Sequence, residues 1–176
     1  MDTWDAIRAR RNVRSFTDRS IVPTDLDRIL EAGRRSPSSM NQQAWDLIVL
    51  TDRERLRDLA RVWRYAQHVA TSAATIALVG PAANDPDERE TIQFDLGQVA
   101  MSVMVTAADL GIGSCHAAVG DQDLARSILG LPSDRECMWL IALGEPADGP
   151  LTPIERLDRR PFEEVVHRDR WSRGTA

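Results

Sequence analysis

Apolar positions along this chain change period several times, and each change marks an element. Thr3 or Asp2 can cap a helix reaching toward Arg10, and Thr24 can cap a second with Leu26, Ile29 and Leu30 on its inner face. Helical sequence must end by Ser36 and Pro37, and the branched and aromatic run from Trp45 to Leu50 predicts a strand. Asp52 to Val62 reads as an amphipathic, arginine-studded helix, and Thr75 to Val79 as a buried strand stopping at Gly80 and Pro81. The acidic stretch from Ala82 to Glu90 reads as a loop. From Thr91 to Leu110 the residues Ile92, Leu96, Val99, Ala100, Val103, Met104 and Ala107 recur at helical spacing. Apolar residues on more than one face of this long helix suit either a central core position or burial against a second copy of the chain. Gly111 to Cys115 then turns the chain into a short strand, Cys115 to Val119. Asp121 caps a helix to Leu129, and Cys137 to Leu143 is the last strand. Gly144, Pro146, Pro150 and Pro153 open an extended tail. Alternating helices and strands favour an α/β or α+β sheet covered by helices over a bundle.

Composition narrows the function. A chain of 176 residues with 43% hydrophobic content makes one domain with a real core. Its net charge of −5 argues against a nucleic-acid partner. All 22 basic residues are arginine, so chemistry that needs a lysine nucleophile or base is excluded. Cys115 and Cys137 are too far apart for a C-x-x-C pair and read as buried, reduced thiols. Neither a membrane-length apolar run nor a signal-peptide pattern is visible, which predicts a cytoplasmic protein with no membrane partner. Three scattered histidines, His68, His116 and His167, give no metal spacing, and no G-x-G-x-x-G fingerprint marks a separate nucleotide domain.

Two short segments carry the chemistry. Arg10, Arg11, Asn12 and Arg14 form a basic box at the end of the first helix, and Pro37, Ser38, Ser39 and Asn41 form a polar one before the first strand. A third basic pair, Arg159 and Arg160, stands in the tail. Guanidinium forks match phosphate oxygens in pairs, while serine and asparagine orient a ring by short neutral hydrogen bonds. Singly, each segment is as well explained by solvated helix faces or an ordinary capped turn. Their order, from Trp4 to about Val166, resembles the FMN-dependent nitroreductase family. That family carries an R-R/H-S-x-R/K box, a P-S-S-x-N-x-Q-P-W box and a basic R-x-P turn before a C-terminal arm. Here Asn12 stands where serine or threonine is usual, and Ala44 where the proline before Trp45 is usual.

The resemblance implies an α+β fold of the three-layer type: a central, mostly antiparallel mixed sheet flanked by helices, with a C-terminal arm exchanged in a dimer. Residues 1–176 would form a single FMN-binding domain, about 150–176 being the arm. It implies FMN as cofactor, NADH or NADPH as co-substrate, a homodimer, and a small electron-poor acceptor such as a nitroaromatic, quinone or enone reduced by a ping-pong mechanism. Arg10, Arg11 and Arg159 or Arg160 would hold the phosphate, with Asn12 beside them. Arg14 would meet the N1 and O2 edge of the ring, unless it pairs on the surface with Asp2 or Asp18. Pro37, Ser38, Ser39, Asn41 and Gln43 would line the ring and ribityl chain, with Trp45 in the core. Ala117, Ala118 and Val119 would bring backbone N–H groups to flavin N5. No side chain need be catalytic, since the flavin carries the hydride; His116 is a weak proton-donor candidate and reads more readily as a hydrogen-bonded core residue. Rival readings are another flavin reaction on the same fold (dehalogenation, desaturation or flavin cleavage) and a protein that binds or senses FMN without turnover.

Overall fold

The computed structural model describes residues 1–83, 85–156 and 158–172. Four strands form one sheet: β1 (Asp46–Leu50), β2 (Ala74–Pro81), β3 (Gly113–Ala118) and β4 (Arg135–Gly144). Their order is β1-β2-β4-β3, and each neighbouring pair is antiparallel. The parallel element of the expected mixed sheet is one isolated bridge, Asn12 to Ser114.

Strand alternation divides the interior in two. Ile76, Leu78, Ile141 and Leu143 face one side, where they meet α2 (Pro23–Arg34) and α4 (Pro86–Asp109). Ala77, Val79, Leu140 and Ala142 face the other, against α3 (Arg53–Leu59), α5 (Gln122–Leu129) and the turn Gln67–Thr71. Both faces of β2 are therefore covered, which explains why Ala74–Pro81 reads as a nearly continuous apolar run. This is the expected α+β arrangement of three layers.

Helix starts follow side-chain caps. Asp2, Asp52 and Asp121 accept backbone N–H groups at the starts of α1 (Thr3–Ala9), α3 and α5. Two starts differ from the sequence reading. Thr24 does not cap α2, because Pro23, whose fixed φ suits a first helical position, begins the helix and Val22 precedes it. The stretch read as an acidic loop is helical from Pro86 onward: Asp85 caps α4, and Asp87 and Glu88 lie at the positive end of its dipole.

Among its described residues the tail forms no strand before a short helix, α6 (Phe162–Val165). Ile154 N–H donates to Arg8 C=O (3.2 Å), which returns the tail to the end of α1. Residues 157 and 173–176 of the expected arm lie outside the described residues.

Candidate functional site

The basic box is laid along the outer side of edge strand β3. Val13 N–H donates to Ser114 C=O (2.9 Å), and Val13 and Phe16 point inward as buried pegs while Asn12 and Arg14 face out. Two glycines make the seat. Gly113 and Gly144 are cross-strand partners, and a Cβ on them would lie 2.9 Å from Val13 Cβ and 2.8 Å from Phe16 Cδ1. A clamp closes the far end: Thr17 Oγ1 and Arg19 Nη1 donate to Glu145 (2.7 and 2.8 Å). The Thr17 hydroxyl, helped by Arg19, holds the Glu145 carboxyl below its ordinary range against the opposing pull of desolvation.

Among the described residues no carboxylate lies within ion-pair distance of Arg10, Arg11 or Arg14, so the surface pairing of Arg14 with Asp2 or Asp18 does not form. Arg34 and Arg35 behave differently: both bind Glu31 (2.6 and 2.7 Å) and hold its carboxyl at about 2. Three guanidiniums without a described carboxylate partner are thus gathered in one short segment, residues 10–14.

Beside them runs a groove of about 650 Å³ between α4 and the β3 end of the sheet, lined by Arg10, Phe94, Gly97, Met101, His116 and Trp139 among others. His116 is exposed, edge-on to the Trp139 ring at 5.9 Å, and so is not the core histidine that its apolar strand suggested. Trp139 Nε1 is held by Gln93 Oε1 (2.7 Å). Further along β3, Ala117 is buried, and Ala118 and Val119 are half-buried. Small side chains there leave the strand edge open to close approach.

The polar box lies on the other side of the Phe94 ridge, in a groove of about 580 Å³ lined by Pro37, Ser38, Ser39, Phe94, Asp95 and Gln98 among others. It is a tight turn with three non-glycine residues in the left-handed region: Met40 (φ 49), Asn41 (φ 57) and Gln43 (φ 50). Each such residue costs about 1–2 kcal/mol, and the turn persists because its surroundings over-determine it. The buried Asp95 carboxylate of α4 accepts Ser39 N–H with both oxygens (3.1 Å each). Ser38 Oγ accepts Gln43 N–H (2.9 Å), and Gln43 Nε2 donates to Asn41 Oδ1 (3.1 Å). Trp45 packs half-buried against the core as expected.

One chain thus joins Arg10 with His116, and Arg14 with the start of β3, but holds the polar box in a separate groove. Arg159 and Arg160 are exposed in the tail, the first donating to Asp158 C=O (2.6 Å), the second paired with Glu164 (3.3 Å).

Sequence reasoning missed Asp95 and His68. His68 is 7% exposed, and its ring Nε2 has no hydrogen-bond partner among the described residues. Burial first, then the Arg14 charge, pushes this imidazole below its ordinary range, with Cys115 and Tyr65 backbone opposing. An apolar groove lined by Arg10, with Arg11 and Arg14 in the same short segment and an open strand edge alongside, suits a ligand with an anionic tail, a flat apolar face and a polar edge. FMN has that chemistry, so the residues present fit it.

Comparison with known proteins bears on the fold and the family. The family model described as the nitroreductase family matches residues 7–65 and 59–145. An Archaeoglobus fulgidus protein assigned as an NADH dehydrogenase/NAD(P)H nitroreductase is 27% identical over 169 residues, covering 94% of this chain and 96% of its own. The NADPH:FMN oxidoreductase of Vibrio harveyi, solved in complex with NAD+, superposes with a TM-score of 0.85 at 22% identity, over 98% of this chain and 79% of that one. An FMN-dependent nitroreductase of Clostridium difficile gives 0.81 at 21%, over 94% and 98%.

Proposed function

The chain belongs to the nitroreductase family of NAD(P)H-dependent oxidoreductases, and from that premise we propose that it binds FMN at the β3 edge and passes hydride from NADH or NADPH to a small electron-poor acceptor. Nitroaromatics, quinones and enones are the acceptor classes. The observation that carries this reading is the set Arg10, Arg11 and Arg14, unpaired with any described carboxylate and placed beside an open strand edge and an apolar groove.

When bound, FMN supplies a ring that accepts and releases hydride. The protein supplies the rest. Arg10 and Arg11, with Arg159 or Arg160 from the tail, neutralise the phosphate dianion, and Asn12 adds an amide donor. Arg14 places a fixed cation where negative charge arrives on reduction. The strand edge from Ala117 to Val119 presents backbone donors without bulky side chains in the way. Pro37, Ser38, Ser39, Asn41 and Gln43 form a polar surface whose turn Asp95 pins at the Ser39 N–H.

The two boxes lie in different grooves of one chain, and a second copy would unite them. Exposed Phe94 (72%) and Met101 (44%) on α4, with Trp4 (65%) on the adjoining α1, are the kind of surface that a homodimer buries, with the tail from about 150 as its arm. One groove then serves nicotinamide and acceptor in turn, which gives ping-pong kinetics.

The test is direct. Purified protein is mixed with FMN, gel-filtered and examined by absorption, with one flavin per subunit expected to co-elute. Initial rates with NAD(P)H and a quinone should then give parallel double-reciprocal lines. Failure to retain or spectrally perturb saturating FMN rejects the cofactor assignment, and intersecting lines reject the ping-pong step.

A further inference from the structure

His68 is the one buried histidine, and three segments enclose it. It sits in the turn Gln67–Thr71, near enough to Arg14 of the basic box and to His116 of β3 to feel their charge, while backbone groups of Cys115 and Tyr65 are placed to favour its protonated form. Its Nε2 meets no partner among the described residues although the residue is 93% buried, taking 7% as its exposure. A buried polar atom is normally paired, and an exception near the unpaired Arg14 points to a functional use.

We infer that His68 is the proton acceptor that balances charge when the site is reduced, taking a solvent proton on Nε2 as hydride arrives and releasing it when hydride leaves. The inference rests on the FMN reading above. The nicotinamide gives up two electrons and one proton as hydride, leaving one net negative charge at the ring, while a second proton, from solvent, turns His68 from imidazole to imidazolium. Both transfers reverse when the acceptor is reduced.

The surrounding charges set the direction. Burial first, then the charges of Arg14 and His116, disfavour the imidazolium and hold His68 below its ordinary range against the opposing Cys115 and Tyr65 backbone. An added negative charge within the same enclosure offsets those effects. Arg14 alone, with a permanent charge, cannot respond to reduction; an imidazole can.

Three histidines make the imidazole signals separable by nitrogen-labelled NMR. In flavin-free protein the His68 titration should lie below that of a free imidazole. In FMN-loaded protein, reduction by dithionite should move it upward by more than a unit, and an unchanged His68 overturns the inference without need of any variant. The midpoint potential supplies an independent readout. For a two-electron couple each proton taken up adds about 30 mV per pH unit, so wild-type should show about twice the slope of His68→Gln between the two His68 titrations. Equal slopes in two proteins that both bind FMN overturn the inference. Absence of FMN binding by the wild-type instead overturns the underlying reading, and this inference with it.

Discussion

Cys137 and Cys115 are buried thiols on β4 and β3, and both are pushed up, by burial, the first to about 12. Thiolate is the reactive form, so native protein should leave both unmodified by a disulfide reagent at about pH 8 and yield two thiols only after denaturation. Arg10 makes the opposite kind of prediction, since its guanidinium is uncommitted and lines the groove. Arg10→Ala should raise the dissociation constant for FMN about 10- to 100-fold, because a charged hydrogen bond contributes about 1.5–3 kcal/mol. Quenching of flavin fluorescence measures it. Residues of this kind were legible from sequence alone, because a cation cluster next to a helix end announces itself without knowledge of the fold. Asp95 was not. It interrupts an apolar helical stripe and reads as a solvated face, and its partner Ser39 is 56 positions away. His68 was equally silent, since its isolation arises only where three distant segments meet.

At the level of elements, the Gly113 and Gly144 pair carries the basic box. Gly113→Ala would drive a methyl into Val13, which must move and take Arg14 with it. Such overpacking costs about 1–3 kcal/mol, so a lower thermal midpoint and weaker FMN binding are expected together. A variant that keeps wild-type FMN affinity would show that the box is held otherwise. The strands were readable as short apolar runs bounded by turn residues, β2 most of all. The first turn of α4 was not, since Asp87 to Glu90 is polar on every face and offers no apolar repeat. Thr24 misled for a different reason: a good capping residue gave way to Pro23, whose ring fixes the helix start by geometry.

Across the whole molecule, two predictions concern assembly and pH. Phe94→Glu should convert a dimer to monomer in sedimentation and abolish FMN retention, with circular dichroism unchanged, since both effects stem from an exposed ridge and not from the core. A variant that stays dimeric would place the interface elsewhere. His68 also links stability to acidity. Its folded titration lies below the unfolded one, so the unfolded chain binds the extra proton as pH falls below about 6.5, and stability declines until the folded titration is passed. Urea midpoints of flavin-free wild-type should therefore drop between about pH 7 and about pH 5, and His68→Gln should flatten that decline. The overall architecture followed from alternation of helix and strand signals, whereas the division of the candidate site between two grooves belongs to tertiary packing and has no sequence mark.

The edge position of β3 has a consequence for keeping the protein in solution. An open strand edge is a template on which a stray chain can pair, and here the Asn12 bridge at Ser114 is the one β-bridge to its outer side among the described residues. Small residues from Ala117 onward, which would let a cofactor approach, give no steric guard against another backbone. A bound ring would occupy the same donors and so act as a protective cap. Flavin-starved preparations should accordingly scatter more light on storage than flavin-loaded ones, making riboflavin supply a determinant of yield as well as of activity.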